Sequence, residues 1–378
     1  MALLFFVNGM AVGSWLPRLP EIRDRLGLDL GTLGLTLALG GLGSLIGSSI
    51  SGLIIGRFGS RRSAVVAALV VYLFLPLIAA VPTASLLAVV LAFMGFVDAQ
   101  ADVGMNAVGV RVEEAVGRSV MTRLHGLWSL GTLVGSGLSA LAILLGLGLG
   151  AQLLIMSVLG LCAALASLRL IAESPPRARE GQRSGRLAAG LMLAGGLAVF
   201  VEGAPFDWSA LFLADVTGSG EALAGTGVIV FTAGMLAGRL AGDHVVDRFG
   251  AIRTLYVGIV VAVLALSLVV GLQTAGMALV GFAVWGLGIS VALPVLYKLA
   301  GSHPSLGEGS GLAALTVGTR LGFMAAPALV GVSATAWSLP AALAVVVGLA
   351  GAASMLAVGL TIATRQPGKD SLPDRSIS

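Results

Sequence analysis

Long apolar segments fill nearly the whole of this chain of 378 residues. Hydrophobic residues make up 57% of it and charged residues 11%, whereas a soluble domain has roughly 25% charged residues. Apolar runs of 18 or more residues predict helices that span a lipid bilayer. We therefore predict an all-α protein of the lipid bilayer, with no soluble domain of ordinary size.

Charged or Pro/Gly-rich breaks divide the chain into twelve apolar segments, numbered as helices 1 to 12. They cover residues 1–20, 30–56, 62–81, 84–110, 124–146, 149–171, 187–213, 222–247, 253–273, 276–300, 309–333 and 338–363. The longest break contains two Pro and four Arg and predicts a linker between two six-helix halves. We expect an N-terminal half at 1–172, a cytoplasmic linker at 173–186, a C-terminal half at 187–363 and a disordered tail at 364–378.

A short basic turn recurs in the two halves. Arg57-Phe58-Gly59 follows helix 2, and Arg248-Phe249-Gly250 follows helix 8, 191 residues later. Internal repeats of this size are typical of secondary transporters, whose substrate site lies between the repeats.

When the halves are aligned, Asn8 of helix 1 matches Glu202 of helix 7. Seven residues precede Asn8 and about fifteen residues of helix 7 precede Glu202, which predicts that helix 1 lacks part of its inner end.

The distribution of basic residues predicts the orientation in the membrane. If the N-terminus lies inside the cell, the inner loops and the tail hold 16 of the 22 Lys and Arg. Basic residues favour the cytoplasmic side, so we expect a multi-pass protein of the cell membrane with both termini in the cytoplasm. Arg18, Arg23 and Arg25, in the first outer loop, are a local exception.

The composition argues against an enzyme, a metal site or a bound cofactor. Cys162 is the only cysteine, and the three His residues are dispersed without the spacing of metal ligands. No ATP-binding loop lies in a strand-to-helix context. The high basicity belongs to the loops and does not indicate a nucleic-acid partner.

The turn after helix 2 resembles the signature of the major facilitator superfamily, Gly-x-x-x-Asp-Arg-x-Gly-Arg-Arg. The first copy runs from Gly52 to Arg62 and has Gly56 where the signature has Asp, whereas the second copy keeps the acid as Asp247. More narrowly, the stretches 13–20, 102–106 and 125–131 resemble the MosC/YbjJ-like branch, which is related to fucose permease-like proteins. The resemblance implies twelve helices in two pseudo-symmetric halves around a central cavity lined by helices 1, 4, 7 and 10.

Acidic residues within the predicted helices are candidates for proton coupling. Asp98, Asp102 and Asn106 are spaced by four residues and lie on one face of helix 4. Two carboxylates one turn apart in a medium of low dielectric constant disfavour simultaneous ionisation, so we expect one of them to carry a proton. Glu202 is the corresponding candidate in the second half. The alternative for these acids is a salt bridge to a neighbouring helix.

Arg320 lies near the middle of helix 11 and requires a carboxylate, a solute or water. Asp98, Asp102 and Glu202 are its possible partners, and an anionic group of the solute is the alternative. Asp207 lies nearer the outer surface, where it could contact solute or be an ordinary acid of the rim. With the family resemblance, the predicted solute-binding residues are Asn8, Trp15, Arg18, Asn106, His125, Trp128, Asp207, Trp208 and Arg320. The Trp residues could instead be interfacial anchors.

Charged residues at the inner ends of helices 2 and 8 are candidates for gating. Arg239 and Asp243 are one turn apart and are expected to form an ion pair that holds the cytoplasmic side shut, as the family motif implies. The predicted gating residues are Arg57, Arg61, Arg239, Asp243, Asp247 and Arg248.

Pairs of glycines with GxxxG spacing occur in helices 2, 5, 8 and 11. They are Gly43/Gly47, Gly131/Gly135, Gly234/Gly238 and Gly318/Gly322. In the family these four helices form the contact between the halves, so we expect the pairs there.

The sequence thus predicts a monomeric transporter that works by alternating access and is driven by an ion gradient, with protons as the coupling ion. The expected cargo is a small polar solute such as a sugar, a cyclitol or an amino sugar. Export of a metabolite or drug is the alternative, because the acids of helices 4 and 7 would also suit an amphiphilic cation. A non-transporting membrane sensor or scaffold is a third hypothesis.

Overall fold

The structure, a computed structural model, describes residues 1–116, 121–168, 185–301 and 308–363. Within these ranges the chain forms twelve helices that are long and apolar enough to cross a membrane. Eight are continuous: Leu30–Phe58 (helix 2), Ala84–Val116 (helix 4), Met121–Leu144 (helix 5), Leu149–Ser167 (helix 6), Gly185–Asp215 (helix 7), Glu221–Phe249 (helix 8), Ala251–Leu272 (helix 9) and Glu308–Ala336 (helix 11). The prediction of an all-α membrane protein with twelve spans is confirmed.

Four helices are interrupted. Helix 1 consists of Ala2–Gly13, a 3-10 turn at Leu16–Arg18 and Leu19–Leu26, and helix 3 of Ser60–Phe74 and Leu77–Ala80. Helix 10 consists of Ala275–Ile289 and Ala292–Gly301, and helix 12 of Leu339–Ala342, a π-helical turn at Leu343–Val347 and Gly348–Ala363. Most of the predicted linker and the tail at 364–378 lie outside the described residues, although helix 7 already begins at Gly185.

The break in helix 1 follows from its prolines, which lack an N–H donor and end a regular α-helix. At the 3-10 turn that contains Pro17, the Arg18 N–H donates to the Trp15 carbonyl rather than to that of Ser14. Gln152 of helix 6 then donates its Nε2 to the released Ser14 carbonyl at 2.6 Å. A side-chain amide thus satisfies a backbone group that would otherwise be unpaired within the bilayer.

The two basic turns have the same geometry. Gly59 and Gly250 have φ angles of 82° and 85°, a region that glycine adopts without steric cost. In each turn the Arg guanidinium carbon lies 5.6 Å from the ring centre of the next residue, Arg57 over Phe58 and Arg248 over Phe249. The repeat that the sequence shows is therefore also a repeat of backbone conformation and side-chain packing.

The GxxxG pairs pack within each half, so their predicted place between the halves is wrong. A Cβ built at either glycine of a pair would overlap or closely approach backbone atoms of a neighbouring helix, which means that the backbones are in direct contact. Helix 2 contacts helix 4 and helix 8 contacts helix 10; helix 5 contacts helix 1 and helix 11 contacts helix 7. The contact between helices 2 and 4 in the first half corresponds to that between helices 8 and 10 in the second, and the contact between helices 5 and 1 corresponds to that between helices 11 and 7. Close glycine packing therefore stabilises the halves themselves.

The described contacts between the halves concentrate on one side of the bundle. We call the side that holds the turns after helices 2 and 8 the linker side, since helix 6 ends and helix 7 begins there. On the opposite side, Gly34 and Gly41 of helix 2 lie against Pro327 and Met324 of helix 11, and Pro17 lies against Gly225 of helix 8.

Towards the linker side the halves diverge. A Cβ built at Gly52 or Gly56 of helix 2, or at Gly126 of helix 5, would meet no heavy atom within 4 Å. Helices 2 and 11 touch along their opposite-side portions, and helices 5 and 8 touch at the level of Ser129 and Arg239. Among the described residues, the interior between the halves is thus closed on the opposite side and open on the linker side.

Candidate functional site

Helices 7 and 8 bring together a buried ion pair in the middle of the second half. Arg239 Nη2 lies 3.2 Å from Glu202 Oε1, and both side chains are 5% exposed. The sequence predicts an ion pair between Arg239 and Asp243. The guanidinium contacts Glu202, and the Asp243 side chain lies outside the described part of the chain. A cation that is buried in this way requires a buried anion.

Arg239 also contacts the first half. Its Nη1 donates a hydrogen bond to Ser129 Oγ of helix 5, and its guanidinium carbon lies 5.9 Å from the ring centre of Trp128. Cation–π contacts of this kind are stronger when water is excluded. Arg239 is therefore bound to both halves at once.

Trp128 connects this arginine to an acid of helix 4. Its Nε1 donates to Asn8 Oδ1 at 2.8 Å, and Asn8 Nδ2 donates to Asp98 at 2.6 Å. An indole N–H can only donate, so it fixes the orientation of the Asn8 amide and turns the NH₂ group towards Asp98. The close approach of helices 1 and 5 at Gly9 makes this contact possible.

Asp102 and Arg320 form a second ion pair, which crosses from helix 4 to helix 11. Arg320 Nη2 contacts Asp102 Oδ2, so Asp102 is the partner among the three that the sequence allowed. Asn106 donates its Nδ2 to the other Asp102 oxygen at 2.8 Å. The Asp102 side chain is 32% exposed, so this pair lies at the open part of the interior.

An aromatic cluster adjoins Arg239 through Trp128. Trp128 and Phe206 meet edge to face with ring centres 6.2 Å apart, and Phe206 and Phe231 do so at 4.9 Å. Phe206, Phe231 and Ser129 are not among the residues predicted from the sequence. Phe206 is four residues from Glu202, so helical spacing could have placed it on the same face; Ser129 follows His125 in the same way.

Three predicted solute-binding residues lie away from these networks. Arg18 is buried, but its guanidinium donates to the Leu147 carbonyl at 2.5 Å and lies 3.3 Å from Glu21. Trp208 is fully buried, and a Cβ built at Gly331 of helix 11 would lie 3.1 Å from its ring. Trp15 is half-buried against the hydrophobic core. These side chains form the packing around the interior.

Two further predicted residues lie beside the networks. His125 meets Phe5 edge to face with ring centres 5.5 Å apart, and its carbonyl accepts a hydrogen bond from Ser129 Oγ at 3.3 Å. Asp207 is partly exposed, and its carboxylate has no hydrogen bond or ion pair among the described residues. Neither side chain is part of the chain of hydrogen bonds and one cation–π contact that runs from Asp98 through Trp128 to Arg239 and Glu202.

The predicted gating residues Arg57, Asp247 and Arg248 are exposed on the linker side, and Arg61 is partly buried there. Gly56 has open space around it, so the missing signature acid is not excluded by crowding. Arg239 is buried, unlike these four gating residues. Within the described ranges, His, Cys, Asp and Glu form no group of three that could hold a metal ion.

Comparison with known proteins identifies the family. The family model for the Major Facilitator Superfamily matches residues 1–312. The chain is 32% identical over 345 residues to an uncharacterized MFS-type transporter of Yersinia pestis, which covers 90% of this chain and 89% of that protein. It is 28% identical over 354 residues to the membrane protein MosC of Rhizobium meliloti, at 91% and 85% coverage.

The fold is similar to that of a crystallised transporter. The match to the nucleoside transporter NupG has a TM-score of 0.73 at 14% sequence identity, and it covers 97% of this chain and 98% of that one. The family model spans most of the sequence, and the twelve helices have the architecture of that transporter. The chain therefore belongs to the major facilitator superfamily of membrane transporters.

Proposed function

We propose that the protein is a secondary active transporter that moves a small polar solute by alternating access and couples this movement to protons through Asp98. The observation that carries the proposal is the environment of this carboxylate. Asn8 donates a neutral amide hydrogen bond to Asp98, and no Lys or Arg in the described residues forms an ion pair with it. An acid held by an amide can gain and lose a proton without leaving a buried cation unpaired.

The other two predicted coupling acids have different surroundings. Asp102 contacts Arg320, and Glu202 contacts Arg239. Protonating either acid would leave an uncompensated guanidinium in a medium of low dielectric constant, which is costly. This difference favours Asp98 as the coupling site, with Asp102 and Glu202 as partners of the two arginines.

The solute is proposed to bind where the halves face each other. Trp128 offers an aromatic ring, and Glu202 Oε2 and Arg239 Nε are buried polar atoms without a hydrogen-bond partner. Such atoms are costly unless a ligand or water satisfies them. A sugar, a cyclitol or an amino sugar has both hydroxyl groups and a ring face, which supports this solute class. Efflux of an amphiphilic cation has less support, because Glu202 is already paired with Arg239.

The positive-inside rule supports an orientation with both termini and the linker side in the cytoplasm. In that orientation the described state is open to the cytoplasm and closed to the outside. We propose that the working unit is the monomer, since the interior lies between the two halves of one chain.

Flux measurements in proteoliposomes test the proposal. A thermal-shift screen of sugars, cyclitols, amino sugars and cationic drugs first selects a solute. We expect accumulation of that solute to follow an imposed pH gradient in the unmodified protein. Asp98→Asn keeps an acceptor for Asn8 and should abolish gradient-driven accumulation while it preserves exchange of labelled for unlabelled solute.

Glu221→Gln removes an exposed carboxylate at the start of helix 8 and is the matched control. It should accumulate solute as the unmodified protein does. Accumulation that is independent of the pH gradient, or that survives in Asp98→Asn, would contradict proton coupling at this site. Selection of only cationic drugs by the screen would contradict the proposed solute class.

A further inference from the structure

Three arginines in and beside the last segment of helix 1 each contact a different element. Arg18 donates to the Leu147 carbonyl between helices 5 and 6, and Arg25 donates to the carbonyls of Ile78, at 2.7 Å, and Ala79 at the end of helix 3. These are the basic residues that depart from the expected charge distribution. The contacts of Arg18 and Arg25 remain within the first half.

Arg23 differs from its two neighbours because it contacts the second half. Its Nη2 lies 2.9 Å from Asp215 Oδ1 and its Nη1 contacts Asp215 Oδ2, so the two side chains meet as a fork on a carboxylate. Asp24 also accepts from Arg23 at 2.7 Å. Two parallel hydrogen bonds fix the relative orientation of an arginine and its acid. This contact joins the end of helix 1 to the end of helix 7.

Backbone hydrogen bonds end the short helix that carries Arg23. Gly27 has a φ of 62° and donates to the Asp24 carbonyl, while Leu28 N–H donates to the Arg23 carbonyl at 3.0 Å. This pair of hydrogen bonds is the Schellman arrangement that ends a helix. Asp29 then accepts from Thr32 N at 2.9 Å and begins helix 2. The short helix Leu19–Leu26 is thus fixed at its C-terminal end.

The position of Asp215 is unfavourable for helix 7 itself. It is the last residue of that helix, where the backbone carbonyls concentrate partial negative charge and acidic side chains destabilise the end. Arg23 lies in the last turn of its own helix, where a cation is favourable. Any stabilisation by the Asp215 carboxylate therefore comes from its contact with Arg23 and not from its position in helix 7.

We propose that Arg23 and Asp215 form a latch that holds the opposite side of the transporter closed. The inference rests on the proposed alternating access, because only a protein whose halves separate on this side has to release the contact. The latch adds a charge-dependent contact to the apolar packing of helices 2 and 11.

The exposure of the two side chains indicates a weak latch. The Arg23 side chain is 15% exposed and that of Asp215 31%. Partly exposed ion pairs contribute little and are screened by salt. We therefore expect the loss of the latch to raise the ratio of opened to closed molecules by about two- to fivefold. A latch of this strength can be released within a transport cycle.

Double electron–electron resonance, which measures the distance between two spin labels, tests the latch without a solute or a gradient. The labels are attached to Ser85→Cys, at the start of helix 4, and to Gly220→Cys, before helix 8. Cys162→Ser removes the native thiol. Ser85 and Gly220 are exposed on the opposite side, one in each half. Opened molecules should give a longer distance between the labels than closed ones. We expect the ratio of opened to closed molecules to rise about two- to fivefold in Arg23→Ala and in Asp215→Asn. The double variant should show no larger change than either single variant.

Arg25→Ala is the matched control, because it removes the same charge from the same helix but breaks contacts only within the first half. It should leave the distances unchanged, and high salt should act on the unmodified protein as Arg23→Ala does. Three results would each overturn the latch: unchanged distances in Arg23→Ala, an equal change in Arg25→Ala, or additive effects in the double variant. If the longer distance is nevertheless present in all variants, the proposal of alternating access stands. Absence of the longer distance from every variant would contradict both proposals.

Discussion

Arg239 Nη2 and Glu202 Oε1 lie 3.2 Å apart in the interior of the second half, and Arg239 also contacts Ser129 and Trp128 of the first half. Through Trp128 and Asn8, this ion pair is connected to Asp98. A chain of polar contacts thus runs from the proposed proton site to the proposed solute site. Any movement between the halves must change the contacts of Arg239 with Ser129 and Trp128.

Arg239→Met should strongly destabilise the protein. It leaves the Glu202 carboxylate buried without a cation, a loss of about 3–5 kcal/mol in comparable pairs. The midpoint of thermal unfolding in detergent measures the effect. Glu202→Gln combined with Arg239→Met removes both charges and should unfold at a higher temperature than Arg239→Met alone. Equal midpoints for the two variants would contradict the ion pair.

Arg320→Met should destabilise the protein less than Arg239→Met. Its partner Asp102 has a side chain that is 32% exposed, so water can replace part of the lost interaction. Asn106 would also continue to donate a hydrogen bond to Asp102 at 2.8 Å. The same unfolding measurement gives the ranking. A larger fall for Arg320→Met would show that Asp102 is more strongly desolvated than its exposure indicates.

Gly131→Ala should destabilise helix 5 against helix 1. A Cβ at this position would overlap the Phe6 carbonyl, and overpacking of this kind costs about 1–3 kcal/mol. Gly137 lies on the same helix and has no heavy atom within 4 Å of the corresponding position. Gly137→Ala should therefore be neutral or stabilising, since Ala is the better helix former. A lower unfolding midpoint for Gly137→Ala than for Gly131→Ala would contradict the packing.

Asp29 should give a pH-dependent contribution to stability. Hydrogen bonds from the Thr32 N–H and hydroxyl group lower the pKa of Asp29 from its ordinary value of 3.8. A lowered pKa in the folded state means that the contribution is fully present above the unfolded pKa and is lost as the pH falls through the folded pKa. Asp29→Ala should cost about 1 kcal/mol near neutral pH.

Unfolding midpoints of the unmodified protein and Asp29→Ala, measured from pH 7 downwards, test this sign. The difference between them should stay constant until the pH approaches 3.8 and then shrink. Asp29→Asn is the control, because an amide can cap the helix without titrating. A difference that grows as the pH falls would contradict the assignment.

Much of the architecture could be predicted from local patterns. Twelve spans follow from the length of the apolar runs, and the repeated basic turn follows from Arg57-Phe58-Gly59 and Arg248-Phe249-Gly250. The need of Arg320 for an internal carboxylate could also be predicted, because the cost of an unpaired charge in a bilayer does not depend on which helices are neighbours.

The choice of partners depended on the tertiary structure. The sequence could not decide between three acids for Arg320, and it did not indicate that Arg239 contacts Glu202 of another helix, because only residues of one helix have a known spacing. It also assigned the GxxxG pairs to the wrong interface, since glycine spacing shows that a helix face allows close approach but not which helix approaches it.

The amino-acid sequence by itself determined the membrane environment, the number of spans, the duplication and the set of charges that must be neutralised in the interior. The tertiary structure decided that Asp102 pairs with Arg320 and Glu202 with Arg239, and that Asp98 is held by Asn8. The physical reason is that hydropathy and helical period are properties of one segment. An ion pair between helices depends on their relative depth and rotation, which only the packed bundle fixes.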